Sequence, residues 1–311
     1  MAKYNKILVT GSDGLVGSAL KSLRHNDAEI VFTNRRDCNL LHWKEVDDNI
    51  RKHRPDAIIH LAAKVGGVKA NMKSPATFMM ENSTMNTHVL EAARIYNVKR
   101  MICCLSTCVF PENCPLPLEP KHLHAGPPHP SNYGYAFAKR MLAIQCQSYN
   151  EEYGTNFLPV IPSNIYGPND NFNLENSHVV PALIRKFYES TSKITLWGSG
   201  KPLREFIYSL DVAKLIMMLL ESYDSNEPIV LSTGTEHSIR ELADEVETAM
   251  CDLSHYEVTY DTSKPEGQYR KPSCNKPLMA LFPDYNFISL SDGLAATVQW
   301  FRLNYPDNIR K

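Results

Sequence analysis

No charge excess of either sign marks this sequence: 33 lysines and arginines meet 34 aspartates and glutamates, for a formal net charge of −1. That balance provides neither a basic field to draw nucleic acid non-specifically nor an acidic tail, so a nucleic-acid partner is not expected. Long apolar runs are also missing. After Met1-Ala2-Lys3-Tyr4-Asn5-Lys6 the chain enters a strand-like run, without the apolar core of a signal peptide or a stretch that could span a bilayer. A cytoplasmic protein with no membrane partner is the expectation. Cysteines occur at Cys38, Cys103, Cys104, Cys108, Cys114, Cys146, Cys251 and Cys274, with no CxxC framework suited to structural zinc. No His/Cys/carboxylate cluster has ligand spacing either, so no metal is expected, and free thiols packed as small hydrophobes are the default. Repeats and low-complexity tracts are absent. What is present is an ordinary globular composition of 311 residues, 43% hydrophobic and 22% charged, enough to bury a full core in one large or two closely joined domains.

The first half alternates short apolar runs with amphipathic segments of helical length, the pattern of a parallel sheet wound on both faces. Strands are expected at Lys6 to Thr10, Ile30 to Thr33, Ala57 to His60, Arg100 to Leu105 and Phe157 to Ile161. Helices are expected at Leu15 to His25, Trp43 to His53, Phe78 to Tyr96 and Tyr135 to Tyr153. Two later stretches read as a return to that sheet: Glu205 to Tyr208, followed by a helix capped by Asp211, and Pro228 to Leu231, ending at Gly234. The expected class is therefore an α/β doubly wound parallel sheet of Rossmann type with a smaller α/β lobe. Residues 1–163 and 204–237 would form the dinucleotide domain, and 164–203 with 238–311 the lobe, lying over the carboxyl ends of the strands, where open α/β sheets bind ligands.

Ile7-Leu8-Val9-Thr10 runs into Gly11-Ser12-Asp13-Gly14-Leu15-Val16-Gly17 and then a helix, so the glycines fall at the first strand-to-helix turn. Gly11 permits the tight turn, Gly14 lets the backbone approach a pyrophosphate, and Gly17 lets helix pack on strand. The end of the second strand ordinarily selects the cofactor, by an acid for a ribose hydroxyl or a cation for a 2′-phosphate. Here Thr33-Asn34-Arg35-Arg36-Asp37 places two arginines before the only acid. This favours NADP through Arg36, although Asp37 keeps NAD open, and exposed arginines also simply solvate strand ends.

Tyr135 and Lys139 stand four apart, on one face of a helix, where an ammonium can depress the phenol pKa and hold a nicotinamide ribose. Alone, such a pair is more often plain helix surface. With the glycine turn and Ser106-Thr107-Cys108 at the end of the fourth strand, the chain resembles the extended short-chain dehydrogenase/reductase family over nearly its whole length. Within that family it is most similar to the NADPH-dependent enzymes that epimerise and reduce GDP-4-keto-6-deoxy-D-mannose. The marks are His60-Leu61-Ala62-Ala63-Lys64-Val65-Gly66-Gly67, Ser106-Thr107-Cys108-Val109-Phe110-Pro111, Gly126-Pro127-Pro128-His129, Asn164-Ile165-Tyr166-Gly167-Pro168-Asn169-Asp170-Asn171-Phe172, Ser177-His178-Val179-Val180-Pro181 and Trp197-Gly198-Ser199-Gly200.

The resemblance implies a reductase set of Ser106, Tyr135 and Lys139 and an epimerisation pair of Cys108 and His178. Thiolate and imidazole titrate near working pH, and protons beside a ketone become removable when the enolate is stabilised. It further implies that Pro162, Ser163, Asn164, Ile165 and His178 line the nicotinamide, and that Lys186, Trp197, Arg204 and Glu266 contact the nucleotide sugar. Lys186 stands where some relatives carry Arg, and Glu266 where relatives carry Asp. A homodimer pairing the helices at Phe78 to Tyr96 and Tyr135 to Tyr153 is also implied. By residue type alone, Cys108 reads as a buried thiol, His178 as a packed or surface histidine and Trp197 as core. Two other functions remain: a nucleotide-sugar epimerase or dehydratase holding NAD tightly, and a cofactor-binding regulatory protein that has kept the fold.

Overall fold

Strand runs rich in Ile, Val and Leu alternate with helices to build the main sheet of the computed structural model, which describes residues 3–24, 28–250, 256–264 and 267–309. The first half contains β1 (Lys6–Thr10), α1 (Leu15–Ser22), β2 (Glu29–Thr33), α2 (Trp43–His53), β3 (Ala57–His60), α3 (Val68–Lys73), α4 (Pro75–Ile95), β4 (Arg100–Cys104), α5 (Tyr133–Tyr153) and β5 (Phe157–Pro162). There follow β6 (Asn164–Tyr166), α6 (Val179–Glu189), β7 (Lys193–Trp197), β8 (Leu203–Tyr208), α7 (Ser209–Ser222), β9 (Ile229–Leu231), β10 (Glu236–Ser238), α8 (Ile239–Met250), β11 (Glu257–Asp261), α9 (Lys276–Leu281) and α10 (Leu290–Asn304). The helix expected to reach His25 closes at Ser22, and His25, like Cys251 and Glu266, lies outside the described residues.

Six parallel strands form the main sheet in the order β2-β1-β3-β4-β5-β9. Strands buried on both faces read as unbroken apolar runs, and β3 and β4 are buried at every position. On one face α2, α4 and α5 cover a core that includes Val46, Ile50, Leu90 and Leu142. On the other, α1 and α7 supply Val16, Leu20, Val212 and Leu219. The chain leaves β1 toward β2 and returns on its other side as β3, which opens a crevice at the carboxyl ends of the strands. A third core, with Phe172, Leu183, Phe187, Leu242 and Phe301, holds α6, α8 and α10 together over that end.

Two features differ from the sequence expectation. The stretch Glu205 to Tyr208 is a strand, but it belongs to a separate three-stranded sheet, β10-β8-β6, and only β9 rejoins the main sheet, beside β5. Asp211 does not cap α7, whose N-cap is Tyr208. Its buried carboxylate instead accepts from the Tyr285 hydroxyl at 2.8 Å and the Ile288 amide at 2.9 Å, tying the C-terminal segment to the first turn of α7. Among the described residues no helix is long and apolar enough to cross a membrane.

Candidate active site

A cleft of about 610 Å³ opens at the carboxyl ends of the strands, and its lining includes Gly11, Gly14, Arg36, Tyr135, Lys139 and His178. Gly11 has φ +72°, and a Cβ there would lie 2.7 Å from Ala62 backbone, so only glycine makes this turn. A Cβ on Gly17 would meet the Gly11 carbonyl at 2.6 Å, which fixes α1 tightly against its strand. α1 has Gly14 as N-cap, no capping side chain and no acid in its first turn, so its first amides are suited to an anion. Lys21 neutralises the adjacent Asp13 at 2.7 Å and holds its carboxyl below the usual range. Asp13, Leu15 and Val16 line the cleft with the glycines, whereas Ser12 is buried and donates its amide to Thr33.

The turn after β2 bears on the two cofactor readings. The Asp37 carboxylate accepts from the Asn34 amide at 2.9 Å, while Asn34 Oδ1 accepts from the amides of Arg36 and Asp37. The acid closes its own turn, and Arg35 and Arg36 line the cleft. Cations at this place suit a 2′-phosphate. Arg36→Ala is expected to weaken NADPH by about tenfold or more, and NADH by less than about twofold, since a charge-assisted phosphate contact is worth roughly 1.5–3 kcal/mol. Fluorescence titration of both cofactors checks this, and equal losses would contradict it.

Side chains from the end of β4 and from α5 meet in this cleft. A Cβ on Gly134 would sit 2.3 Å from the Pro75 carbonyl, so this glycine lets α5 start hard against α4 and brings Tyr135 forward. Phe78 of α4 packs edge-on against the Tyr135 ring, with centroids 6.3 Å apart. One helical turn on, Lys139 is buried and donates to the Cys104 carbonyl at 2.7 Å. The expected depression of the phenol pKa by Lys139 does not occur here. Burial pushes Tyr135 well above its ordinary value, with Cys108 and Cys104 adding to the effect, and burial also lowers Lys139. Desolvation governs this phenol, which keeps its proton.

Beyond Ser106 a short helical turn, Thr107–Val109, carries Cys108, whose amide donates to Ser106 Oγ at 3.4 Å. Burial raises the Cys108 thiol pKa, against the lowering effects of Ser106, Lys271 and Lys139. His178 is the N-cap of α6 and faces the cleft from the opposite lobe, and desolvation by the cleft walls lowers its pKa. Ser106 and His178 line the cleft with Tyr135 and Lys139, and Cys108 lies just behind that lining, in electrostatic contact with Tyr135 and Lys139. Pro162, Ser163, Asn164 and Ile165 line it as well.

Lys271 has no distinguishing pattern in the sequence beyond the pair Arg270-Lys271, yet its ammonium reaches the Thr107 carbonyl at 3.4 Å and acts electrostatically on Cys108 and Arg204. The segment that carries it is pinned to the loop after β4, with Leu118 donating to Pro272 at 2.7 Å and accepting from Cys274 at 2.9 Å. Arg204 is part-buried, donates to the Leu203 carbonyl at 2.7 Å, and is lowered in pKa by burial. Lys186 on α6 reaches the Thr195 carbonyl on β7 at 3.2 Å, and Trp197 ends that strand 54% exposed, so the core reading of Trp197 fails. Lys186, Trp197 and Arg204 stand outside the cleft lining, Lys186 on α6, Trp197 at the end of β7 and Arg204 on β8 of the three-stranded sheet.

Residues 7–233 match the model of the NAD dependent epimerase/dehydratase family. The chain is 42% identical to a GDP-L-fucose synthase of Dictyostelium discoideum, over 96% of this chain and 96% of that protein. It is 35% identical to the GDP-L-fucose synthase of Escherichia coli, over 96% and 97%. The GDP-L-fucose synthetase of Naegleria fowleri, solved bound to NADP, superposes with a TM-score of 0.93 at 38% identity, covering 99% of this chain and 95% of that one.

Proposed function

The chain belongs to the NAD dependent epimerase/dehydratase family, and we propose that within it the chain converts GDP-4-keto-6-deoxy-D-mannose to GDP-L-fucose by 3,5-epimerisation followed by NADPH-dependent 4-reduction. The observation that carries the reading is one cleft that joins a glycine-turn dinucleotide site and Arg36 to Ser106, Tyr135, Lys139 and His178, with Cys108 at its wall. Full-length similarity to GDP-L-fucose synthases supports it.

Bound NADPH supplies the hydride for C4. Ser106 and Tyr135 hold the C4 oxygen, so negative charge developing there, as enolate or as alkoxide, meets two hydroxyl donors. Stabilising the enolate makes the protons on C3 and C5 removable, and inversion then requires a group on each face of the sugar. Cys108 comes from the β4 side and His178 from the lobe. A thiol with a raised pKa is a stronger base once ionised, and an imidazole with a lowered pKa is a stronger acid once protonated. Thiolate and imidazolium therefore form a reactive pair, even though the neutral pair prevails at rest. After inversion, Tyr135 gives its proton to the C4 oxygen. Lys139 orients the ribose of the cofactor, and Arg204, Lys186 and Lys271 offer cations to the diphosphate, with Trp197 and Glu266 completing the nucleotide-sugar contacts.

Residues 1–163 and 204–237 act as the cofactor unit and 164–203 with 238–311 as the substrate lobe. The protein works as a homodimer through α4 and α5, where Tyr133, Phe137 and Ile144 are exposed around a small apolar depression that Met79 also lines. Ile144→Asp is expected to shift its sedimentation to the mass of one chain; an unchanged two-chain mass would exclude this face. Free buried thiols such as Cys103 and Cys146 suit a reducing, cytoplasmic setting. The function is tested by supplying GDP-4-keto-6-deoxy-D-mannose with NADPH and, separately, with NADH. Turnover to GDP-L-fucose with a preference for NADPH is expected, and no consumption of either cofactor would refute it.

A further inference from the structure

The loop Lys64–Gly67, between β3 and α3, is held on both sides by buried asparagines. Asn82 accepts from the Lys64 amide at 2.9 Å and donates to the Lys64 carbonyl at 3.0 Å. Asn71 donates to the carbonyls of Gly66 at 2.6 Å and Gly67 at 3.1 Å. Both asparagines are buried, so these bonds hold the loop rigidly to α4 and α3. A Cβ on Gly66 would lie 3.1 Å from the ring of Phe78, the residue that packs against Tyr135. The loop is thus referenced to the reductase tyrosine.

Its far end meets the opposite lobe. The Gly67 amide donates to the Asn176 carbonyl at 2.9 Å, and a Cβ on Gly67 would stand 2.6 Å from the Ser177 carbonyl oxygen. Ser177 immediately precedes His178. Beside this contact, exposed Lys69 of α3 pairs with Glu175. We infer that Gly67 is a positioning residue for epimerisation: the absence of a side chain lets the segment bearing His178 seat on the Rossmann half, fixing the imidazole opposite Cys108 and at a set distance from Tyr135. Gly67 has φ −65°, where any residue is comfortable, so the requirement for glycine here comes from the neighbouring carbonyl and not from the backbone. The inference rests on the proposal that His178 serves epimerisation.

The test is solvent deuterium exchange into the keto sugar, with NADP⁺ bound so that no reduction intervenes. A backbone oxygen cannot yield as a flexible side chain does, so Gly67→Ala displaces the Ser177–His178 segment. A misplacement of about 1 Å costs on the order of 100-fold, so exchange is expected to slow by about 10- to 100-fold, while NADPH affinity stays within about threefold and the melting temperature stays near wild type. Exchange within about twofold of wild type in the folded variant would overturn the inference. If Gly67→Ala does not fold, the surface pair decides. Lys69→Glu, facing Glu175, is expected to slow exchange several-fold, and Lys69→Glu with Glu175→Lys to restore it; wild-type exchange in the single variant would overturn the inference. His178→Gln separates the two layers. If it exchanges like wild type, the role of His178 fails, whereas loss in His178→Gln with normal exchange in the Gly67 and Lys69 variants removes only the positioning role.

Discussion

Replacing Tyr135 by phenylalanine is expected to slow reduction of the keto sugar by on the order of 10²- to 10⁴-fold, the usual contribution of a positioned acid, with NADPH binding nearly unchanged. The phenol is held protonated by burial, and Lys139, one turn on, donates to the Cys104 carbonyl. Phenylalanine preserves the edge contact with Phe78 and the packing at Gly134, so positioning survives and only the proton is lost. Exchange of solvent deuterium into the substrate should continue in this variant, because Ser106 remains to hold the C4 oxygen. Single-turnover decay of NADPH fluorescence measures the reduction step; a rate within about tenfold of wild type would place the acid elsewhere.

Cys108→Ser and His178→Gln are expected to do the reverse, cutting deuterium exchange by on the order of 100-fold or more. A serine hydroxyl is too weak an acid to form the base, and glutamine does not titrate near neutral pH. Both variants should still bind NADPH, and reduction of incompletely inverted sugar becomes a side product. The pKa directions also set the pH dependence of wild-type exchange. The reactive thiolate–imidazolium pair has the same net proton count as the neutral pair, so its population is constant between the two pKa values. Desolvation by the cleft walls moves His178 below about 6.5, and burial moves Cys108 above about 8.5, so exchange should be flat across that interval, falling only below it as His178 is protonated without Cys108 ionising, and above it as the imidazolium is lost. Loss of activity centred at neutral pH would contradict this pairing.

Much of the fold was legible because β1, β3, β4 and β5 are buried on both faces, and such strands are unbroken apolar runs in any context. The same property concealed where Glu205 to Tyr208 belongs: Phe206-Ile207-Tyr208 is as apolar packed under the lobe as it would be in the main sheet. Asp211 reads as a helix cap in the sequence, but it stands inside the first turn of α7, where two donors from residues far along the chain claim its carboxylate. Asp37 shows a similar limit, since its selection between cofactors depends on whether a side chain turns into its own loop. The glycine turn, Tyr135 and Lys139 were found by local spacing. Lys271 and Gly67 were not assigned roles, because what matters about each is a neighbour more than 100 residues away: the Thr107 carbonyl for one, the Ser177 carbonyl for the other. The phenol pKa escaped for a different reason, since spacing reveals a cation's proximity and says nothing of the desolvation that opposes it.

The central claim is that one cleft inverts two carbons and then reduces the carbon between them. Turnover of GDP-4-keto-6-deoxy-D-mannose with NADPH in deuterated water, with the product examined by proton NMR, tests both parts at once. The account predicts GDP-L-fucose with deuterium at C3 and C5 and protium at C4, since the first two hydrogens pass through solvent-exchanging side chains and the third arrives as hydride. A product with protium at C3 and C5 and unchanged configuration there would contradict it, leaving a simple 4-ketoreductase.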